Sequence, residues 1–271
     1  MSAQTRSEVR ALLERHGLRP RKALGQHFLA DPNITRRIVE AADVGPGSRI
    51  LEIGAGTGTL TRELAATGAA VLAYEVDETL RPLLEEVLDP FESVEIRFED
   101  AAVVDLAKVL GPGPWSLVAN LPYNVGTPIL LDLLRHVPAV TTMVVMVQQE
   151  VAERLVAAPG SKAYGLPSVV VGLHAAARRL FTVPPQVFLP APHVGSAVVR
   201  LDRRDPPGVA ERAIELASAG FGRRRKMLRS SLDTVLDDPA LVLREAGIEE
   251  TARAETLSAD DFARLAEVAN G

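Results

Sequence analysis

The 271-residue chain contains no cysteine. That absence removes disulfides, thiolate metal sites and a cysteine nucleophile together, and it suits a reducing, cytoplasmic setting. Long apolar runs are missing as well: no stretch reaches the roughly 20 residues that a bilayer-crossing helix requires. The segment MSAQTRSEVRALLERHG has a charge every few residues and no apolar h-region, so it does not read as a secretory signal. No internal repeat and no low-complexity segment is visible. What the chain does have is material for a core, since 47% of it is hydrophobic, too much for wholesale disorder. Its length exceeds one average domain, so one large domain and one small one are expected.

The net charge of −5 argues against a polyanionic partner until it is resolved along the chain. Residues 1–37 hold eight Lys/Arg against three Asp/Glu, and residues 200–229 hold nine against four. Two basic zones thus flank an acidic remainder. Screening confines each charge to roughly 10 Å, so such zones can bind a polyanion although the total is negative.

From Arg49 onward short apolar runs alternate with helical patterns. Arg49–Ile53 reads as a buried strand that stops at a glycine-rich turn, and Thr59–Ala66 as the helix after it. Ala70–Tyr74 is a second strand ending on Glu75, followed by a helix through Leu80–Leu88. Val94–Phe98 is a third, ending at Glu99-Asp100, and Ser116–Ala119 a fourth, ending at Asn120. Met143–Val147 is a fifth, and its unbroken apolar character fits a sheet covered on both faces. This alternation predicts an α/β fold with a doubly wound, mostly parallel sheet. Ser168–Val171 reads either as a strand or as part of a buried helix. Ser196–Leu201 reads as an antiparallel edge strand. Asp205-Pro206-Pro207-Gly208 then breaks the chain, and only helical periodicity follows. The expected domains are therefore 1–205, carrying a basic N-terminal arm, and a small helical domain over 206–271. Ser258 and Asp261 form a capping box for the last helix.

Glu52-Ile53-Gly54-Ala55-Gly56-Thr57-Gly58 sits where the first strand gives way to a helix. Gly54 and Gly56 let the backbone turn sharply and approach a ligand closely. A dinucleotide turn of the form G-x-G-x-x-G would need glycine at 59, where Thr59 stands; the observed spacing fits a nucleoside without a pyrophosphate. Glu75 lies 21 positions past Gly54, the offset at which a carboxylate accepts from ribose hydroxyls. Asp100, one strand further, is placed to accept from an adenine amine.

Asn120-Leu121-Pro122-Tyr123 closes the fourth strand. Alone it is an ordinary turn; beside the glycine turn and Asp100 it matches what methylation of an exocyclic amine requires. That nitrogen is a poor nucleophile because its lone pair is delocalised into the ring. The Asn120 side-chain carbonyl and a backbone carbonyl near Leu121-Pro122 can accept its two N–H bonds. Pro122 fixes the backbone and has no N–H to compete. Tyr123 offers a face on which an extruded base can stack.

With these motifs in view, the chain resembles the ribosomal RNA adenine dimethyltransferase family, in its small-subunit (16S rRNA) branch. The likeness rests on Lys22–Leu29 (KALGQHFL), the glycine turn, Asn120–Asn124 (NLPYN), Phe188–Ser196 (FLPAPHVGS) and Phe221–Arg229 (FGRRRKMLR). Leu121 and the continuation Gly126-Thr127-Pro128 favour that branch over the large-subunit resistance enzymes. The resemblance implies a Rossmann-like class I methyltransferase using S-adenosylmethionine. His27, Leu29, Gly54, Glu75, Asp100 and Asn120 would contact that cofactor, and Phe188 would pair with Tyr123 around the target base. The implied reaction places four methyl groups on the N6 amines of two adjacent adenines near the 3′ end of small-subunit rRNA, within the assembling 30S subunit. His27 stands where family members often carry Asn, and Ala55 where proline is frequent. The other four histidines have no metal-ligand spacing, and no metal is expected. Beside a catalytic domain for RNA, Arg223, Arg224, Arg225, Lys226 and Arg229 read as contacts to the RNA backbone rather than as a solvated helix face. A monomer in the cytoplasm is expected.

Overall fold

The computed structural model describes residues 4–270. Nine strands form in these residues: β1 (Phe28–Leu29), β2 (Arg49–Ile53), β3 (Ala70–Tyr74), β4 (Val94–Arg97), β5 (Trp115–Asn120), β6 (Val140–Gln148), β7 (Ala175–Val183), β8 (Phe188–Leu189) and β9 (Ser196–Arg203). Seven build one sheet in the order β4-β3-β2-β5-β6-β9-β7, and β1 pairs with β8 apart from it. The pairings from β4 through β6 are parallel, and β9 runs antiparallel to β6. Met143–Val147 on β6 is buried along its whole length, as expected of a strand covered on both faces. The parallel strands bring Ile53, Tyr74, Arg97 and Asn120 to one rim, where their following loops meet.

Three sequence expectations change. β9 is not an edge strand: β7 lies outside it, and Ala197, Val198 and Val199 are fully buried. β7 escapes recognition because exposed Arg178 and Arg179 interrupt its apolar pattern; charges on an edge discourage pairing with another chain. The ambiguous run at 168–171 is helical, within Leu166–His174, with Pro167 in the first turn. A helix over Arg6–Arg15, closed by a Thr5–Glu8 capping box, occupies the segment expected only as a basic arm. It buries Val9, Leu12 and Leu13.

The chain forms two compact units. Among the described residues, one comprises 4–152 and 178–202, the other 153–177 and 203–270. The second unit thus begins its C-terminal part close to the break expected at 205, but it also takes in 153–177, which the sequence pattern places in the first. Its close helix contacts depend on small residues. Gly172 leaves no room for a side chain, because a Cβ would stand 2.8 Å from that of Ala259. The last helix, Ala259–Asn270, is capped by Ser258, whose N–H donates to Asp261 at 2.8 Å while its hydroxyl accepts from the Asp261 N–H at 3.1 Å.

Candidate active site

The rim of the first unit holds a cavity lined by the ends of β2 to β5 and by the segment Leu24–Leu29. Its floor is the glycine turn. Gly54 has φ +84°, and a Cβ there would lie 3.5 Å from the Pro122 ring. Gly56 has φ +57°, and a Cβ would come within 3.0 Å of the Phe28 ring. Both positions therefore need glycine for backbone conformation, and Gly56 needs it for space as well.

Glu75, just past β3, is buried and already organised. One carboxylate oxygen accepts the Gly56 N–H at 2.8 Å and the other the Asp77 N–H at 2.9 Å. Burial pushes this carboxyl above its ordinary pKa, the backbone amides of Asp77, Gly56 and Val76 work against that shift, and the Asp77 charge adds to it. Asp77 braces the same corner. Burial opposes its ionisation, but hydrogen bonds from Thr79, Gln26 and Arg21 outweigh it and hold the carboxyl low. The Arg21–Asp77 ion pair (3.0 Å) and the Gln26–Asp77 hydrogen bond (2.8 Å) tie the Lys22–Leu29 segment to the end of β3. Sequence reasoning alone misses Asp77, whose only signal is a second carboxylate two residues after Glu75.

Glu52 also lines the cavity, fully enclosed on β2. Burial drives its pKa up to about 8, with the Thr61 hydroxyl opposing the shift and the Glu75 charge adding to it. The folded chain thus holds a proton that the unfolded chain has released above pH ~4.5, so this group's contribution to stability falls as pH rises from ~4.5 to ~8 and is level outside that window. Glu52→Gln should therefore gain stability relative to wild type progressively across that window, at ~1.4 kcal/mol for each pH step of one, reaching a few kcal/mol at pH 8. Denaturant titrations at several pH values check this; a difference that does not change with pH would show that Glu52 titrates normally.

At the end of β5, Asn120 presents an incomplete hydrogen-bonding group. Its amide nitrogen donates to the His27 carbonyl at 3.4 Å, while its side-chain oxygen is buried and has no partner among the described residues. A buried acceptor left unpaired costs roughly 1–3 kcal/mol. The Pro122 carbonyl accepts the Gly126 N–H at 2.8 Å, at the start of the next helix, and is thereby engaged within the protein. The Tyr123 hydroxyl meets that of Ser196 at 2.5 Å, fixing the ring. Burial raises the Tyr123 pKa, the Ser196 contact offsetting part of it.

The cavity brings together His27, Leu29, Gly54, Gly56, Glu75, Asp100, Asn120, Leu121, Pro122 and Tyr123. It does not include Phe188. That ring is fully buried in the core, on β8 opposite Leu29, and the ring stacked against Tyr123 is His27, with centroids 5.5 Å apart. The basic cluster lies in the second unit, with Arg223–Lys226 in the exposed turn after helix Ala210–Gly222 and Arg229 in the short helix Leu228–Ser231. Arg223 pairs with Asp233 (2.7 Å) and Arg224 with Glu255 (3.0 Å). Arg225, Lys226 and Arg229 are exposed and have no carboxylate partner among the described residues. Among the described residues there is no cluster of three or more His, Asp or Glu suited to a metal ion, and no helix is long and apolar enough to cross a membrane.

Comparison with known proteins identifies this arrangement. A family model described as ribosomal RNA adenine dimethylase matches residues 17–270. The chain is 46% identical to the ribosomal RNA small subunit methyltransferase A of Phenylobacterium zucineum, covering 98% of this chain and 94% of that protein. It is equally 46% identical to the protein of the same name from Magnetococcus marinus, with 95% of each covered. Among solved structures, a dimethyladenosine transferase from Plasmodium falciparum superimposes with a TM-score of 0.75 at 25% identity, covering 88% of this chain and 96% of that one. The 23S rRNA methyltransferase ErmE gives 0.69 at 28% identity, covering 90% and 100%. With a Rossmann-like sheet, a cavity at its rim and this similarity over nearly its whole length, the chain belongs to the ribosomal RNA adenine dimethylase family.

Proposed function

We propose that this chain transfers methyl groups from S-adenosylmethionine to the N6 amines of two adjacent adenines near the 3′ end of 16S rRNA. The observation that carries the reading is the unpartnered, buried Asn120 oxygen on the cavity wall. The cavity suits the cofactor: Glu75 offers two organised acceptors to ribose hydroxyls, Asp100 an exposed carboxylate to the adenine amine, and Gly54 and Gly56 the space for close approach. Bound there, S-adenosylmethionine supplies an electrophilic methyl group on its sulfonium.

The protein's part is positioning. Asn120 accepts one N–H of the target amine and the Leu121 carbonyl the other, which turns the nitrogen lone pair out of the ring system. These bonds strengthen as the nitrogen becomes tetrahedral, so they favour the transition state over the bound base. The Tyr123 face, held by Ser196 and backed by His27, supports the extruded base. The test is methyl incorporation into small subunits that lack the modification, expected on two adjacent adenines. Incorporation into large-subunit RNA instead would move the chain to the resistance branch.

The substrate is RNA within the assembling small subunit, met by a monomer in the cytoplasm, and the free cations Arg225, Lys226 and Arg229 contact its backbone. Replacing these three by Ala should leave cofactor affinity unchanged. The slope of log affinity for subunits against log salt should fall by roughly two, at ~0.7–0.9 for each phosphate no longer neutralised. An unchanged slope would make the turn a solvated surface.

A further inference from the structure

A second cavity adjoins the first. The segment Lys22–His27 separates them, and Gln26 and His27 line both. Its floor is apolar, with Leu13, Leu18, Leu189 and Pro190. Its rim is basic: Arg10, Arg19 and Lys22 are all exposed and have no carboxylate partner among the described residues, and Glu14 is the one carboxylate in the lining. An apolar floor beneath three unpaired cations matches the two faces of a nucleotide, a flat base and a charged phosphate.

The shared wall is rigidly held. Nδ1 of His27 donates to the Pro190 carbonyl at 2.8 Å, since a carbonyl can only accept, and the ring lies against Tyr123. One side of the wall therefore faces the place assigned to the target base and the other the second cavity. A chain with one base in the first cavity must continue within a single nucleotide's length. We infer that the groove receives the nucleotide next to the target adenine, its base on the apolar floor and the linking phosphate among Arg10, Arg19 and Lys22. This rests on the function proposed above, and it gives adjacent adenines a structural meaning: one is held while the other is modified.

The test uses the full chain methylating unmodified small subunits, with two competing probes, the dinucleotide adenylyl-adenosine and free adenosine. Adenylyl-adenosine should inhibit at roughly tenfold lower concentration than adenosine, the worth of one charge-assisted phosphate contact and a seated base. In the Arg10→Ala/Arg19→Ala/Lys22→Ala variant that advantage should shrink to about twofold or less, while adenosylmethionine affinity by calorimetry stays at the wild-type value and reports a folded chain. Arg19→Ala alone should give an intermediate loss. Equal inhibition of the wild type by the two probes, or an advantage that survives in the triple variant, would overturn the groove assignment alone. Small subunits that accept no methyl groups from the wild type would overturn the functional reading, and the groove with it.

Discussion

Asn120→Ala is expected to slow methyl transfer by about a hundred- to a thousandfold, the cost of deleting one preorganised group that acts on developing charge. Affinity for small subunits should change only a few-fold, because most RNA binding comes from phosphate contacts elsewhere. The structure sharpens the reason. The buried Asn120 oxygen has no partner among the described residues, which leaves it as an acceptor for the amine in the proposed mechanism. Asn120→Asp separates two explanations: it keeps an acceptor but loses the donor to the His27 carbonyl and adds a charge. It should recover little activity if the orientation of the amide matters. Near-normal turnover in Asn120→Ala, measured in single-turnover assays, would show that the amine is activated by other groups.

Glu75→Ala should weaken adenosylmethionine binding by about 1.5–3 kcal/mol, a ten- to hundredfold loss, as expected for hydrogen bonds to a charged acceptor. Part of that loss is indirect, since Glu75 also holds the Gly56 and Asp77 amides at 2.8 and 2.9 Å. Glu75→Gln retains one acceptor oxygen but turns an NH2 group toward one of those donors, so it should recover only a fraction. Calorimetry on both variants checks this, with NADH as a non-binding control. Unchanged affinity in a folded Glu75→Ala chain would remove Glu75 from the cofactor site.

Much of this site is legible in the sequence because its signals are local. The strands from Arg49 to Val147 show as apolar runs, and two of them lead directly to cavity-lining residues: Glu75 just past β3, and Asn120 closing β5. The Ser258–Asp261 cap is legible for the same reason, since both partners lie within one helical turn. What escapes depends on long-range partners. The sequence motif around Phe188 shows an aromatic but not which way it faces, and pairing with β1 turns its ring into the core. The His27–Tyr123 contact joins residues 96 positions apart and leaves no periodic trace. The basic run at 223–229 shows its charges but not their partners, Asp233 and Glu255, which divide it into two paired and three free cations. The 153–177 segment lies before the Asp205–Gly208 break, the one boundary signal in the sequence, and only tertiary packing groups it with the second unit.

The central claim is that this chain methylates two neighbouring adenines of small-subunit RNA. The most direct measurement is mass spectrometry of 16S rRNA fragments from cells lacking the gene, complemented with either the wild-type chain or Asn120→Ala. The account predicts two adjacent N6-dimethylated adenines with the wild type and unmodified adenines at both positions with no chain or with the variant. Dimethylation at both positions in cells lacking the gene, or its full restoration by Asn120→Ala, would contradict it.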